Sequence, residues 1–170
     1  MRSLRALIKG IVILTLAFAA FGAAAQGGAV VLEGAQLARV VPPGFYFEGQ
    51  SAPTQTRNTA AAKFGADRYV IVGLVDTSGY SSDVRAKYQG FFIADSPVTV
   101  GGQKLETGAY GFGFTDDGHL NILDIGGRRV LSAPATKDTK IQRPRPILIT
   151  VDAGEVRFYS GRDYAVINTR

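Results

Sequence analysis

The most concentrated chemistry in this sequence is cationic. Between Arg128 and Arg145, six side chains (Arg128, Arg129, Lys137, Lys140, Arg143 and Arg145) face a single carboxylate, Asp138, a net charge of +5 over 18 residues. Cations at that density suit an anionic partner: a polar lipid head group, a cell-wall polymer or the acidic face of another protein. Arg143 and Arg145 flank Pro144, and a stiffened extended segment that holds two guanidinium groups apart favours bidentate contacts to oxyanions. The plain alternative is a solvated loop whose charges keep the protein soluble.

Other groupings offer less. His119 is the only histidine and stands beside Asp116 and Asp117. Zinc sites draw on three or four ligands, usually several of them His or Cys, and no calcium loop of alternating Asp residues is present, so no metal is expected. A hydrolase lacks the Gly-x-Ser-x-Gly elbow, and the single histidine would have to serve as base. Ser78-Gly79 and Ser160-Gly161 have the composition of turns. No catalytic residue is assigned, and no cofactor is expected. Whether the protein is an enzyme is left open, with a binding role preferred.

A third grouping is aromatic. Tyr110, Phe112 and Phe114 alternate with Gly111 and Gly113, which puts three rings on one face of a strand. With Phe158 they either line a pocket for a small apolar ligand or form the core of the domain. No Trp is present to serve as a sugar-stacking platform.

These groups need a frame, and the first 25 residues are not part of it. Arg2, Arg5 and Lys9 precede an unbroken apolar run from Gly10 to Ala25, which ends in Ala23-Ala24-Ala25. This is the pattern of a secretory signal peptide. Its 16 apolar residues fall short of the ~20 that a spanning helix requires. Cleavage near Ala25 and a periplasmic or secreted location are expected, with no membrane span in the mature chain. Lacking Cys, the chain is not expected to carry a lipoprotein anchor. Three of the 19 Lys and Arg lie in this leader and all 14 Asp and Glu lie after it, so the net charge falls from +5 to +2. A nucleic-acid partner is therefore not expected. The division is a signal peptide over 1–25, an N-terminal arm over 26–41 and one β-domain over 42–170.

Along that domain the period of two dominates. Pro42-Pro43-Gly44 reads as a turn before the strand Phe45–Phe47. Gln50 to Asn58 reads as an exposed strand, with Pro53 suggesting a sheet edge. RYVIVGLV, from Arg68 to Val75, is the most apolar run and predicts a central strand. Ser81-Ser82-Asp83 has the composition of a helix cap, but Val84, Ala86 and Tyr88 alternate with polar residues and lead into Phe91-Phe92-Ile93. The spacing predicts one long strand with a bulge at Gly90. Val98–Val100 and Gln103–Leu105 are joined by Gly101-Gly102, and the aromatic strand returns through Asp116-Asp117-Gly118 to Leu120 and Ile122; both are hairpins. Arg128–Ala133 is another strand, 134–146 a long irregular connection, and Ile147–Val151, Glu155–Ser160 and Asp163–Asn168 are the last three. The segment Gln26–Val41 fits either a short helix or an arm. Turn signals every eight to twelve residues predict an all-β protein: a single antiparallel β-sandwich or partly closed small β-barrel of roughly eight to ten short strands.

The run TVGGQKLETGAYGFGFTDDGHLNILDIGG, with VDTSGYSSDVRAKYQ before it and RPRPILI and FYSGRDY after it, resembles a group of uncharacterised secreted bacterial β-rich domains. These share the Gly-Gly turn followed by a Gly-x-Tyr hairpin. The resemblance spans most of Val41–Asn168 and implies an exported β-domain; it carries no catalytic residues. The functional expectation is an exported, non-catalytic binding or interaction domain of the bacterial envelope. Its partner would be an anionic envelope component or another protein. A carrier of a small apolar ligand is the second expectation and a hydrolase the third.

Overall fold

The computed structural model describes residues 28–169, so the leader expected over 1–25 lies outside the described residues. The chain runs β1 (Val30–Val31), α1 (Gly34–Val40), β2 (Gly44–Phe47), β3 (Gln50–Phe64), β4 (Arg68–Val75), α2 (Ser82–Lys87) and β5 (Gly90–Ala94). It continues through β6 (Val98–Val100), β7 (Gln103–Leu105), β8 (Gly108–Phe114), β9 (His119–Leu123) and β10 (Arg129–Pro134). The last elements are β11 (Thr136–Lys137), β12 (Arg145–Asp152), β13 (Glu155–Gly161) and β14 (Asp163–Thr169).

Among the described residues two antiparallel sheets pack face to face as an all-β sandwich, and no barrel closes. The larger has the order β1-β3-β4-β5-β8-β9-β10, with β2 also paired to β3; the smaller has the order β12-β13-β14-β6-β7, with β11 also paired to β14. The fourteen strands of the described residues exceed the eight to ten expected because short pairings such as β1 and β11, two residues each, carry no periodicity that a sequence can display. The stretch before Val41 holds both a strand pairing and a helix: Val30 and Val31 lie opposite Lys63 and Ala62, and α1 follows.

The core between the sheets is aromatic at its centre. Phe112 and Phe158 are fully buried with ring centroids 5.1 Å apart, and Phe114 meets Phe158 at 5.3 Å, both edge to face. Phe92 closes on Phe158 at 6.0 Å. Burial of each such ring stabilises the fold by roughly 1.5–3 kcal/mol, and edge-to-face pairs add to that. The period of two in β8 is therefore what it predicts: Tyr110, Phe112 and Phe114 share the inward face.

The opposite face of the larger sheet carries a second apolar layer. Val70 and Val72 of β4 enter the inter-sheet core, whereas Ile71 and Val75 enter a separate cluster with Phe45, Phe47, Tyr80, Tyr88 and Phe91. An uninterrupted apolar run is what a strand buried on both faces requires. In this second layer Phe47 stacks on Tyr88 at 3.8 Å and Tyr80 meets Tyr88 edge-on at 5.4 Å. Gly111 and Gly113 are the floor beneath it. A Cβ at Gly111 would lie 2.5 Å from the Phe47 ring, and one at Gly113 would overlap the Lys87 carbonyl oxygen.

The long strand expected over Val84–Ile93 is corrected here. Residues 82–87 are helical, the Ser81 Oγ accepts the Val84 N–H at 3.4 Å, and the strand begins only at Gly90. Val84 and Tyr88 are two strand periods apart but also four residues apart, the span of one helical turn, and the Tyr88 N–H caps the helix by donating to the Val84 carbonyl at 2.9 Å. Both pack into the second layer, Tyr88 with 1% exposure. Tertiary packing selects the helical reading of a pattern that fits both periods.

Candidate functional site

The basic segment divides. Arg128 and Arg129 stand at the β9–β10 turn, while Lys137, Lys140, Arg143 and Arg145 lie beyond the far end of β10, where Pro134 is opposite His119. Six residues of strand at ~3.3 Å each separate the two groups by about 20 Å. The six cations are two groups at two ends of the molecule.

At the second end, β11 carries the chain from the larger sheet to the smaller. Thr136 lies opposite Tyr164 and Lys137 opposite Asp163 on β14, and the Ala135 N–H donates to the Gly118 carbonyl at 2.8 Å. The connection then folds over the outer face of β13 and β14. Asp138 anchors it: its Oδ1 accepts the Lys140 N–H at 2.9 Å, and its Oδ2 accepts the Tyr159 hydroxyl at 3.1 Å. The Asp138 N–H donates to the Arg162 carbonyl at 2.8 Å. The Arg162 guanidinium in turn donates to the Ile141 carbonyl.

Beneath the connection is a pocket of about 290 Å³ lined by Lys137, Asp138, Lys140, Arg157 and Tyr164, with Thr136 and Thr139. Arg157 is fixed by its neighbours, with Nε on Glu155 Oε1 at 2.5 Å and the guanidinium 5.0 Å from the Tyr164 ring centroid. Tyr164 packs on Tyr159, ring centroids 5.0 Å apart. Lys137 and Lys140 are exposed and make no ion pair among the described residues. Three cations thus converge on a concavity whose one carboxylate is turned to hold the loop. The chemistry open to such a set is pairing with an oxyanion, Arg157 being held in place by Glu155 and Tyr164 and the two lysines free to adjust.

The Asp138 carboxyl lies below its ordinary value of 3.8, first because the Lys140 backbone N–H stabilises the charged form. A depressed folded-state pKa means that this anchor contributes fully above the unfolded value and is lost as pH falls through the folded one. A carbon-13 NMR titration is expected to place the Asp138 midpoint below 3.8, with the Lys140 amide becoming faster to exchange as the carboxyl protonates. A midpoint at or above 3.8 would show that Asp138 does not hold the loop.

Arg143 and Arg145 are exposed at the same end but do not line the pocket; Arg145 opens β12 opposite Gly161. Of the aromatic residues considered as a ligand pocket, Phe112 and Phe158 have no exposure, and Tyr110 is half-buried with its hydroxyl on the Glu106 carbonyl at 3.0 Å. Phe114 lines the wall of a cleft, a polar one of about 480 Å³ between the β8–β9 turn and β13–β14 that also meets Asp116, Asp163 and Lys137. His119 lies beside this turn, its Nδ1 3.5 Å from Asp117 Oδ1, and Asp117 also receives the Thr115 hydroxyl. No helix among the described residues is long and apolar enough to cross a membrane.

No protein-family model, curated protein or solved structure matches the chain. The functional reading therefore rests on the geometry of its own residues. Four of the pocket's residues escape inspection of the sequence, among them Arg157 and Tyr164 from the strands beneath the connection. The signal available was their alternation: Arg157, Tyr159 and, across the turn, Tyr164 all lie on the face opposite Phe158, and aromatic and cationic side chains sharing the outer face of neighbouring strands mark a surface that something covers.

Proposed function

We propose that this chain is an exported, non-catalytic binding module of the bacterial envelope, which holds an anionic group of an envelope component in the pocket beneath the β11–β12 connection. The observation that carries this reading is the convergence of Lys137 and Lys140, from the connection, on Arg157, from β13, with neither lysine in an ion pair among the described residues. A volume near 290 Å³ is at the lower bound of ligand sites, the size of a head group or one unit of a polymer. Export is supported by the leader pattern of residues 1–25, and the resemblance to secreted bacterial β-rich domains points the same way.

The test is retention of the mature chain on a uronic-acid polymer and, separately, binding of inorganic phosphate, both at low salt. Lys137→Ala combined with Lys140→Ala is expected to weaken both by about tenfold, and added salt should weaken the wild type. Arg143→Ala with Arg145→Ala is expected to have a smaller effect, since neither residue lines the pocket. Equal retention of the lysine variant and the wild type would remove the proposal.

A further inference from the structure

The two arginines outside the pocket have surroundings of a different kind. Their turn is held rigid from within: Asp124 Oδ1 accepts the N–H groups of Gly126 and Arg128, each at 3.0 Å, and the Gly127 N–H returns to the Asp124 carbonyl at 2.9 Å. It is also braced from outside. The Glu48 N–H donates to the Ile125 carbonyl at 2.8 Å, Lys87 Nζ donates to the Gly127 carbonyl at 3.3 Å, and Lys87 pairs with Glu48 at 2.5 Å.

What this rigid turn presents is apolar as well as basic. Four large apolar side chains of the described residues are exposed, and Ile125 and Val130, both 51% exposed, bracket Gly126-Gly127-Arg128-Arg129. A third, Tyr46, lies two residues before Glu48 in the bracing turn. Val130 points outward because the β9–β10 register slips between Arg129 and Leu131. The Arg128 side chain is 89% exposed although its Nε meets Asp124 Oδ2 at 2.9 Å, and Arg129 is exposed without an ion pair among the described residues.

We propose that the β9–β10 turn is a contact for a lipid bilayer carrying anionic head groups. Ile125 and Val130 would enter the boundary between head groups and acyl chains, with Tyr46 at the level of the head groups. Arg128 and Arg129 would take lipid phosphates. A soluble polyanion would use the two arginines but leave the two aliphatic side chains in water, so the combination selects a surface with an apolar phase. The contact is independent of the pocket, about 20 Å away at strand spacing.

The experiment is co-sedimentation of the mature chain, at low salt, with phosphatidylcholine vesicles with and without phosphatidylglycerol. The wild type is expected to sediment with the anionic vesicles and to be released by salt. Arg128→Gln with Arg129→Gln should lower the affinity by about fivefold per arginine. Ile125→Ser with Val130→Ser should remove most of the binding while leaving retention on the uronic-acid polymer unchanged. Failure of the wild type to bind anionic vesicles, or unchanged binding by the serine variant with unaltered circular dichroism, would overturn the proposal. So would loss of vesicle binding in the Lys137→Ala, Lys140→Ala variant alone, which would place the lipid in the pocket. Retention on the polymer separates these outcomes from failure of the pocket itself.

Discussion

Phe158→Ala is expected to cost about 3–5 kcal/mol of folding stability, the largest loss from any single side chain in this fold. Phe158 is the one ring of the smaller sheet that meets three rings of the larger: Phe92 at 6.0 Å, Phe112 at 5.1 Å and Phe114 at 5.3 Å. Truncation removes the transfer free energy of the ring and leaves a void between two sheets that are each held in register by their own ladders. Neither sheet can close the gap without breaking hydrogen bonds, so relaxation recovers little. Urea unfolding followed by far-ultraviolet circular dichroism measures the change. A loss below ~1.5 kcal/mol would mean that the sheets are not joined through these rings.

Gly113→Ala is expected to cost about 3 kcal/mol, with a fall in Tm of roughly 6–12 °C for a chain of this size. The added methyl would overlap a backbone atom, the Lys87 carbonyl oxygen at the end of α2. A side chain could rotate away; a helix terminus must shift as a body. Tyr88 follows immediately and is stacked on Phe47 at 3.8 Å, so the displacement should also alter the near-ultraviolet signal of that cluster. Phe158→Ala, on the other face of the sheet, should leave that signal in place until the fold melts. Stability within ~0.5 kcal/mol of wild type for Gly113→Ala would show that α2 does not rest on β8.

These two residues also show where the sequence could be read and where it could not. The ring stripe of β8 was legible because alternation fixes which side chains share a face, whatever the neighbouring strands are. β4 and the hairpins β6–β7 and β8–β9 were legible for the same reason, reinforced by turn residues at the correct spacing. Gly111 and Gly113 were visible only as spacers between rings. That they floor a second apolar layer depends on Phe47 and Tyr88, which are more than twenty residues away in the chain. The segment 84–88 satisfied two periods at once, and the preference for the strand was reversed by the short helix 82–87, which sets Val84 and, just after its end, Tyr88 against the second layer.

The site was half legible. Charge density along a chain marks cations but is blind to direction, so Arg128 and Arg129 were grouped with Lys137 and Lys140 although β10 carries them to opposite ends. Arg157 was invisible as a site residue because its pairing with Glu155 and its place over Tyr164 make it resemble an ordinary surface residue until the 138–144 connection folds onto it. Asp138, counted as the one charge opposing the cluster, is instead its anchor.

The most direct measurement is a nitrogen-15 NMR titration of the mature chain with the uronic-acid polymer, read residue by residue at low salt. The expected result is a set of saturable shifts centred on Lys137, Lys140, Arg157 and Tyr164, reversed by salt and absent from the Lys137→Ala, Lys140→Ala variant. Shifts centred on Asp116, Ser160 and Asp163 in the neighbouring cleft, or no saturable shifts at all, would contradict a basic pocket that receives an anion.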